Sequence, residues 1–208
     1  MARYTDSKCK LCRREGIKLY LKGSRCETAK CSFTKKKNPP GQVSRRRKKL
    51  SDFGIHFREK QKLKRFYGVY ERQFRNYFAK SKRKKGNTGE NLLIMLEQRL
   101  DNVLYYLGFG FSRSHARQII NHGHIMVNDR KVDIASYLVK PGEVIKPINK
   151  EDSINMIKLN LDSNKSERLP SWLELRGDGL AGNVLQLPTR DEITIEIQEQ
   201  LVVELCSK

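Results

Sequence analysis

The sequence predicts the α+β class: a cysteine-rich N-terminal extension, a mainly helical domain, and a domain of short helices packed on a small, mostly antiparallel sheet. Three observations support this division. Four of the five cysteines lie in the first 31 residues. Apolar residues in the middle of the chain recur at helical spacing, and after Gly123 the apolar period falls to two.

The charge is concentrated in one half of the chain. The 208 residues carry a net charge of +20, but residues 1–90 hold 29 Lys and Arg against 7 Asp and Glu, whereas residues 91–208 hold 14 against 16. Such segregation predicts a polyanion-binding face joined to an ordinary folded module. Nucleic acid is favoured over a membrane because no segment combines a strong apolar face with a basic one.

The composition predicts an intracellular protein without a membrane anchor. No run approaches eighteen apolar residues, and the residues after Met1 lack the apolar stretch of a signal peptide. We therefore expect a soluble, cytoplasmic protein with neither a membrane partner nor a small-molecule substrate.

Changes in composition predict the domain boundaries. Residues 1–45, rich in Cys, Lys, Gly and Pro, form the extension, and residues 46–91 form the helical domain, completed by a C-terminal segment at about 178–208. Residues 92–177 form the α+β domain, with a smaller module at about 97–155.

The helices follow from apolar spacing and from their end signals. The pattern predicts helices at about 55–66, 69–84 and 93–107, with Gly68 after the first and Gly108 after the third. In the second, Tyr70, Phe74, Tyr77 and Phe78 would share one face. A short helix runs from an N-cap at Ser112 to Gly123, and a C-terminal helix carries Ile197, Leu201 and Leu205.

Short strands follow from alternating apolar residues between turn signals. The predicted strands are 125–127, 131–133, 137–139, 144–146, 157–161 and 172–175. Asn128-Asp129 suits a hairpin turn because both residues tolerate a positive φ.

Two close cysteine pairs predict a metal site. Cys9 and Cys12 form a CxxC pair, and Cys26 and Cys31 form a CxxxxC pair thirteen residues later. Two such pairs can surround one tetrahedral Zn²⁺, and the segment has too few apolar residues to fold unaided. An iron–sulfur cluster suits the same ligands, and disulfides or free thiols are the alternatives without a metal. Cys206 is expected to be a packed thiol.

No motif predicts catalysis. The GxGxxG pattern at 177–182 is not followed by a segment long enough to form the helix that a dinucleotide site needs, so a turn between strands is expected. The histidines His56, His115, His122 and His124 have no nucleophile and carboxylate beside them in the sequence. The chain is not predicted to be an enzyme.

Several stretches resemble the bacterial family of the fourth small-subunit ribosomal protein, in its zinc-bearing form. They include Leu50-Ser51-Asp52-Phe53-Gly54, Glu71-Arg72-Gln73-Phe74-Arg75-Asn76-Tyr77, Lys85-Gly86-Asn87-Thr88-Gly89-Glu90-Asn91 and the terminal Val202-Val203-Glu204-Leu205. The resemblance covers nearly the whole chain and implies a primary ribosomal RNA-binding protein that nucleates assembly of the subunit body. It also implies a position near the channel through which messenger RNA enters, beside the fifth and twelfth small-subunit proteins, and an influence on translational accuracy.

Residues 92–150 resemble the small RNA-binding module named after this family. Here Arg113, Arg117 and Asn121 recur every four residues on one helix, where they would meet neighbouring phosphates. Elsewhere, basic runs would follow the RNA backbone, and Tyr67 would stack on a base. The full predicted RNA-binding set is Arg45, Arg46, Arg47, Lys48, Lys49, Lys60, Lys62, Lys64, Arg65, Tyr67, Arg72, Lys82, Arg83, Lys84, Lys85, Arg113, Arg117, Gln118, Asn121, Arg130 and Lys131.

Three other functions would suit parts of the sequence. An RNA-modifying enzyme would need a catalytic domain, and only about 58 residues follow residue 150. A stand-alone translational regulator or assembly factor, with messenger RNA as its ligand, remains open because the same surface would bind it. A zinc-ribbon DNA-binding factor is disfavoured by the resemblance across the chain.

Overall fold

The computed structural model describes residues 4–42, 49–163, 169–177 and 179–207. The chain divides into two compact units, residues 1–92 with 195–208, and residues 93–194. The sequence analysis placed the second boundary near residue 178, but the strand that follows pairs with the sheet of the second unit. Among the described residues, every helix is too short or too polar to traverse a lipid bilayer.

Helices make up the first unit. They are α1 (Lys8–Glu15), the four-residue α2 (Ser32–Lys35), α3 (Asp52–Phe66), α4 (Glu71–Lys82), the start of α5 (Thr88–Glu97) and the C-terminal α9 (Glu199–Ser207), with a 3₁₀ turn at Gly23–Cys26. Helix α3 begins earlier than predicted because the Ser51 hydroxyl caps it, accepting a hydrogen bond from the Gly54 N–H at 3.2 Å.

The core of the first unit lies between α3, α4 and α9. Leu63, Phe74 and Val202 are fully buried there. Tyr70, predicted to share the apolar face of α4, is the N-cap of that helix and is exposed. Because Tyr70 has an extended backbone conformation, its side chain does not lie on the helix face that buries Phe74.

The second unit combines helices with one antiparallel sheet. Its helices are α6 (Leu100–Tyr106), α7 (Arg113–Asn121) and α8 (Glu151–Ser163). Its strands are β1 (Ile125–Val127), β2 (Arg130–Lys131), β3 (Val144–Pro147), β4 (Leu173–Arg176) and β5 (Ala181–Val184), in the order β2-β1-β3-β5-β4. The mixed class with a mostly antiparallel sheet is confirmed.

The helix predicted at 93–107 is interrupted. Helix α5 ends at Glu97 and α6 begins at Leu100, with Arg99 in extended conformation between them. Arg99 forms an isolated antiparallel bridge with Leu138, and this bridge is the only strand-like feature in the predicted strand 137–139. The backbone leaves the helix at this point to make tertiary hydrogen bonds, which apolar spacing does not reveal.

The strand predicted at 157–161 was wrong, because these residues lie in α8. Alternating apolar residues suggested a strand. The residues that α8 buries are Ser153, Ile157 and Asn160, which recur at helical spacing. Leu159, the apolar residue between, is exposed. Two polar side chains on the buried face concealed the helical period.

Two turn predictions were confirmed. Asn128 and Asp129 have φ angles of 47° and 64° and join β1 to β2, as a two-residue hairpin turn requires. In the glycine-rich segment, Gly177 and Gly179 follow β4 at positive φ, and Ala181-Gly182 begin β5. This segment opens a strand rather than a nucleotide-binding helix.

Candidate nucleic-acid interface

The cations predicted on α3 are tied to carboxylates. Lys60 and Lys64 donate to the two oxygens of Glu71 at 2.5 and 2.6 Å, and Lys62 donates to Glu59 at 2.5 Å. Arg65 forms an ion pair with Glu15. The four side chains are only 10–22% exposed, so α3 presents much less charge to solvent than its sequence suggests.

Two carboxylates organise these pairs. Burial opposes ionisation of Glu71, but hydrogen bonds from Lys60, Lys64 and Arg75 outweigh it and lower its pKa to about 2. Glu15 on α1 has a fully buried side chain that contacts Arg58 and Arg65 of α3. Burial outweighs both arginines and raises the pKa of Glu15.

Tyr67, predicted to stack on a base, is only 1% exposed and packs edge-to-face against Phe66. Its ring belongs to the core of the first unit, which leaves no face for a nucleotide. The residue is the C-cap of α3, where the sequence suggested exposure, but the side chain is directed into the core.

A second group of predicted residues in the first unit is exposed to solvent. Lys49, Arg72 and the cluster Lys82, Arg83, Lys84 and Lys85 at the end of α4 are exposed. Within the described residues, no carboxylate forms an ion pair with any member of that cluster. Four adjacent cations without acidic neighbours produce a strongly positive surface. Arg45, Arg46, Arg47 and Lys48 lie outside the described residues.

In the second unit, the predicted row on α7 is split between the interior and the surface. Arg113 is buried: its Nε donates to Asn102 Oδ1 at 2.7 Å, and its guanidinium lies 4.6 Å from the centroid of the Tyr105 ring. Arg117 is partly exposed and donates to Asp101 at 2.5 and 2.9 Å. Arg113 was predicted to face the RNA, but it lies against α6.

The remaining candidates in this unit lie at the surface. Gln118 and Asn121 are exposed on α7, and Arg130 and Lys131 are exposed in the β1–β2 hairpin. The Lys131 side chain covers Gly123, since a Cβ atom added there would lie 2.7 Å from Nζ. Gly123 is favoured by its positive φ of 74°, whereas the Lys131 side chain is flexible and could move aside.

A buried polar network that was not predicted from the sequence lies behind α7. Asp101 lies between Arg99, which donates to it at 2.7 Å, and Arg117, so one buried carboxylate fixes two guanidiniums. Asn102 links Arg113 to Glu97. Adjacent Asp101 and Asn102 at the start of an otherwise apolar helix were the available signal, because polar residues on a buried helix need partners.

The four N-terminal cysteines gather in one region. Cys9 and Cys12 lie one turn apart on α1, Cys26 ends the 3₁₀ turn, and Cys31 is the N-cap of α2. Cys12, Cys26 and Cys31 are buried, and all five cysteines, each among the described residues, are free thiols. In the described part of the chain, no three His, Cys, Asp or Glu side chains are arranged closely enough to hold a metal ion.

The surroundings of the thiols act on their pKa values in both directions. Burial raises the pKa of Cys12 and of Cys26, with backbone N–H groups of Leu19 and Lys22 opposing it, and the other cysteines raise both values further. At Cys31, burial is outweighed by hydrogen bonds from Thr34 and Phe33, which lower its pKa. The four thiols are therefore close enough to influence one another, and backbone N–H groups donate to three of them.

Two known families match consecutive parts of the chain. The family described as the ribosomal protein S4/S9 N-terminal domain matches residues 3–97, and the S4 domain matches residues 98–145. Proteins named small ribosomal subunit protein uS4 match over all 208 residues and over their own full length. They are 52% identical in Thermodesulfovibrio yellowstonii, 54% in Thermoanaerobacter sp. strain X514 and 51% in Geobacter sp. strain M21. The chain belongs to the uS4 family.

Membership of the uS4 family confirms the resemblance to the fourth small-subunit ribosomal protein, while the zinc-bearing form stays a prediction. It also assigns the α6–α7 pair and the β1–β3 strands to the S4 domain, because residues 98–145 contain most of them. The Gln118, Asn121, Arg130 and Lys131 side chains are therefore exposed on the S4 domain itself.

Proposed function

We propose that this chain is a structural component of the small ribosomal subunit and binds its ribosomal RNA directly. The observation that carries the proposal is the full-length similarity, at 51–54% identity, to proteins named small ribosomal subunit protein uS4. The exposed basic surfaces on both units supply the charge that an RNA backbone requires. Its membership of a ribosomal protein family agrees with the prediction that it is not an enzyme.

The more detailed role follows from the family resemblance. The chain would bind RNA early, nucleate assembly of the subunit body, and influence translational accuracy beside the channel through which messenger RNA enters. Its protein neighbours would be the fifth and twelfth small-subunit proteins, and its location the cytoplasm, bound to the ribosome.

The exposed members of the predicted set are the proposed RNA contacts. In the first unit these are Lys49, Arg72, Lys82, Arg83, Lys84 and Lys85, and in the S4 domain they are Gln118, Asn121, Arg130 and Lys131. Lys60, Lys64, Arg113 and Tyr67 instead support the helices that carry these contacts, because they are buried or paired with carboxylates.

The test of the main proposal is sedimentation of the native protein in a high-salt sucrose gradient of cell lysate. A structural component should co-migrate with small subunits at one copy per subunit. Free or substoichiometric protein would contradict the proposal and would favour a stand-alone regulator or an assembly factor.

We also propose that Cys9, Cys12, Cys26 and Cys31 hold one structural Zn²⁺. The four residues supply the complete ligand set of a closed zinc site, and the N–H groups of Leu19 and Lys22 would stabilise the bound thiolates. The ion would fix the fold of this small segment, while Glu15 joins the same helix, α1, to α3. An iron–sulfur cluster is the alternative occupant.

Plasma emission on the purified full-length chain tests the zinc proposal. We expect about one zinc per chain in the wild type and none in the Cys9→Ser/Cys12→Ser double variant. Cys206→Ser is the matched control and should keep its zinc. Unchanged metal content in the double variant would contradict the proposal, and iron with an equal amount of inorganic sulfide would indicate a cluster.

A further inference from the structure

The loop between α6 and α7 places two phenylalanines in opposite environments. In Phe109-Gly110-Phe111, the first ring is fully buried in the core of the second unit, whereas Phe111 is 37% exposed. Phe111 is the only exposed large apolar residue in the stretch 108–121, all of which the structure describes.

Three contacts fix this loop. The buried Asn160 of α8 donates its Nδ2 hydrogen to the Phe109 carbonyl at 2.8 Å. Gly110 lies directly against α7, since an added Cβ atom would come within 2.8 Å of the Ala116 nitrogen. The Ser112 hydroxyl caps α7 by accepting from the His115 N–H at 3.3 Å. These contacts anchor the residues on both sides of Phe111 to α7 and α8.

The Phe111 ring lies parallel to the imidazole of His115. The ring centroids are 5.2 Å apart with an interplanar angle of 7°, and the Phe111 N–H donates to His115 Nδ1 at 3.3 Å. Since Nδ1 accepts, the remaining ring hydrogen of neutral His115 lies on Nε2. Burial lowers the pKa of His115, which keeps the imidazole neutral at neutral pH.

The exposed residues of α7, the helix that carries His115, are polar. Ser114, Gln118 and Asn121 are exposed, and Arg117 is partly exposed. A single exposed aromatic ring beside a polar helix surface is unlike the contiguous apolar patch that a protein partner uses. It does suit RNA, whose unpaired bases stack on aromatic and histidine rings.

We propose that Phe111, supported by His115, is the stacking platform for one unpaired nucleobase of the small-subunit ribosomal RNA. The base stacks on the exposed face of the Phe111 ring, and His115 Nε2–H donates to the same nucleotide. This inference rests on the proposed function, because it names a specific contact within that RNA complex.

Binding of the full-length chain to an in vitro transcript of the small-subunit ribosomal RNA tests the platform. We expect Phe111→Ala to weaken binding about tenfold, in the range of base–aromatic stacking, and Phe111→Tyr to bind like the wild type. The dependence on salt should keep its slope, because no cation is removed. Leu159→Ala, which truncates another exposed apolar side chain of the same unit, is the matched control and should change nothing.

Chemical probing of base reactivity in the complex gives a second readout. The wild type and Phe111→Tyr should protect one unpaired base that Phe111→Ala leaves reactive. If Phe111→Ala lowers the melting temperature, Phe111→Leu is the substitute variant, because it keeps an apolar side chain without the ring. It should show the same loss of RNA affinity and of base protection.

Several results would overturn the platform. Equal affinity or identical base reactivity for the wild type and the ring-free variants would do so. Normal RNA binding combined with failure to join the subunit would do so as well, because it would assign Phe111 to a protein contact. These results leave the proposed function intact, since that fails only if the wild type does not bind the transcript or does not sediment with small subunits.

Discussion

The basic residues of α3 and those at the end of α4 lie close in the sequence but have different surroundings. On α3, Lys60 and Lys64 converge on Glu71, and each side chain is about one-tenth exposed. At the end of α4, Lys82 to Lys85 are exposed, with no acidic partner within the described residues. The comparison shows that the charge a cation presents to solvent depends on its neighbours, so net charge overstates the charge available to a ligand.

Removing the α4 cluster should have the largest effect. In the quadruple variant Lys82→Gln/Arg83→Gln/Lys84→Gln/Lys85→Gln, we expect RNA affinity near 0.1 M salt to fall by about two orders of magnitude. The salt slope should decrease by about one for each phosphate that the variant no longer neutralises. Filter binding across a salt series measures both quantities.

Lys62→Gln on α3 is the matched control, because Lys62 is already paired with Glu59. It should change the salt slope little. If Lys62→Gln and the quadruple variant reduced the slope equally per charge removed, the distinction between paired and exposed cations would be wrong.

Arg113→Ala should mainly affect stability rather than RNA contact. The substitution removes the bond to Asn102 and the contact with the Tyr105 ring, and it leaves buried polar groups without a partner. We expect a loss of about 2–4 kcal/mol in the free energy of unfolding, measured with urea.

Gln118→Ala, on the exposed side of the same helix, is the comparison for Arg113→Ala. Its stability should stay within about 0.5 kcal/mol of the wild type. Unchanged stability in Arg113→Ala, together with weaker RNA binding, would return Arg113 to the RNA-facing role that its spacing suggested.

Glu71→Gln should have the smallest effect, about 1–2 kcal/mol at neutral pH, because partial exposure screens its ion pairs. Since folding lowers the pKa of Glu71 to about 2, the stabilisation is fully present above about pH 4.5 and is lost as the pH falls toward 2. Urea unfolding of wild type and variant across this range measures the difference.

Glu196→Gln removes an exposed carboxylate and serves as the control for Glu71→Gln. It should leave stability nearly unchanged at every pH. A difference between wild type and Glu71→Gln that persisted unchanged down to pH 2 would mean that the ion pairs of Glu71 do not stabilise the fold.

Local signals in the sequence predicted most of the fold. Ser112 is a cap, Asn128-Asp129 is a turn, and the apolar stripes of α3, α7 and α9 indicate helices. Sequence reasoning failed where tertiary contacts overrode the local pattern, as at Arg99, which leaves the helix to pair with Leu138. It failed again in α8, where the buried face includes Ser153 and Asn160.

The candidate site was predicted by residue type but not by orientation. Helical spacing placed Arg113, Arg117 and Asn121 on one side of α7, but it could not show that α6 covers the first of them. The ion pairs of the basic residues could not be predicted either. Glu15 lies 43 residues from Arg58 in the sequence but contacts it in the structure. Phe111 was overlooked because the apolar pattern does not distinguish it from Phe109. The structure shows that Phe109 is buried and Phe111 is exposed, on either side of Gly110, which packs closely against α7.

The pairing of α3 with α9 also sets the order in which the chain can fold during synthesis. Glu59 and His56 of α3 meet Gln198 and Glu204, so this contact waits until residues 198–204 have been made. Residues 93–194 form the second unit in the interval, and at about 5–20 residues per second the wait is roughly 7–30 seconds. The unit that begins with the first residues is therefore completed last, and α3 must spend that time with its α9 face uncovered.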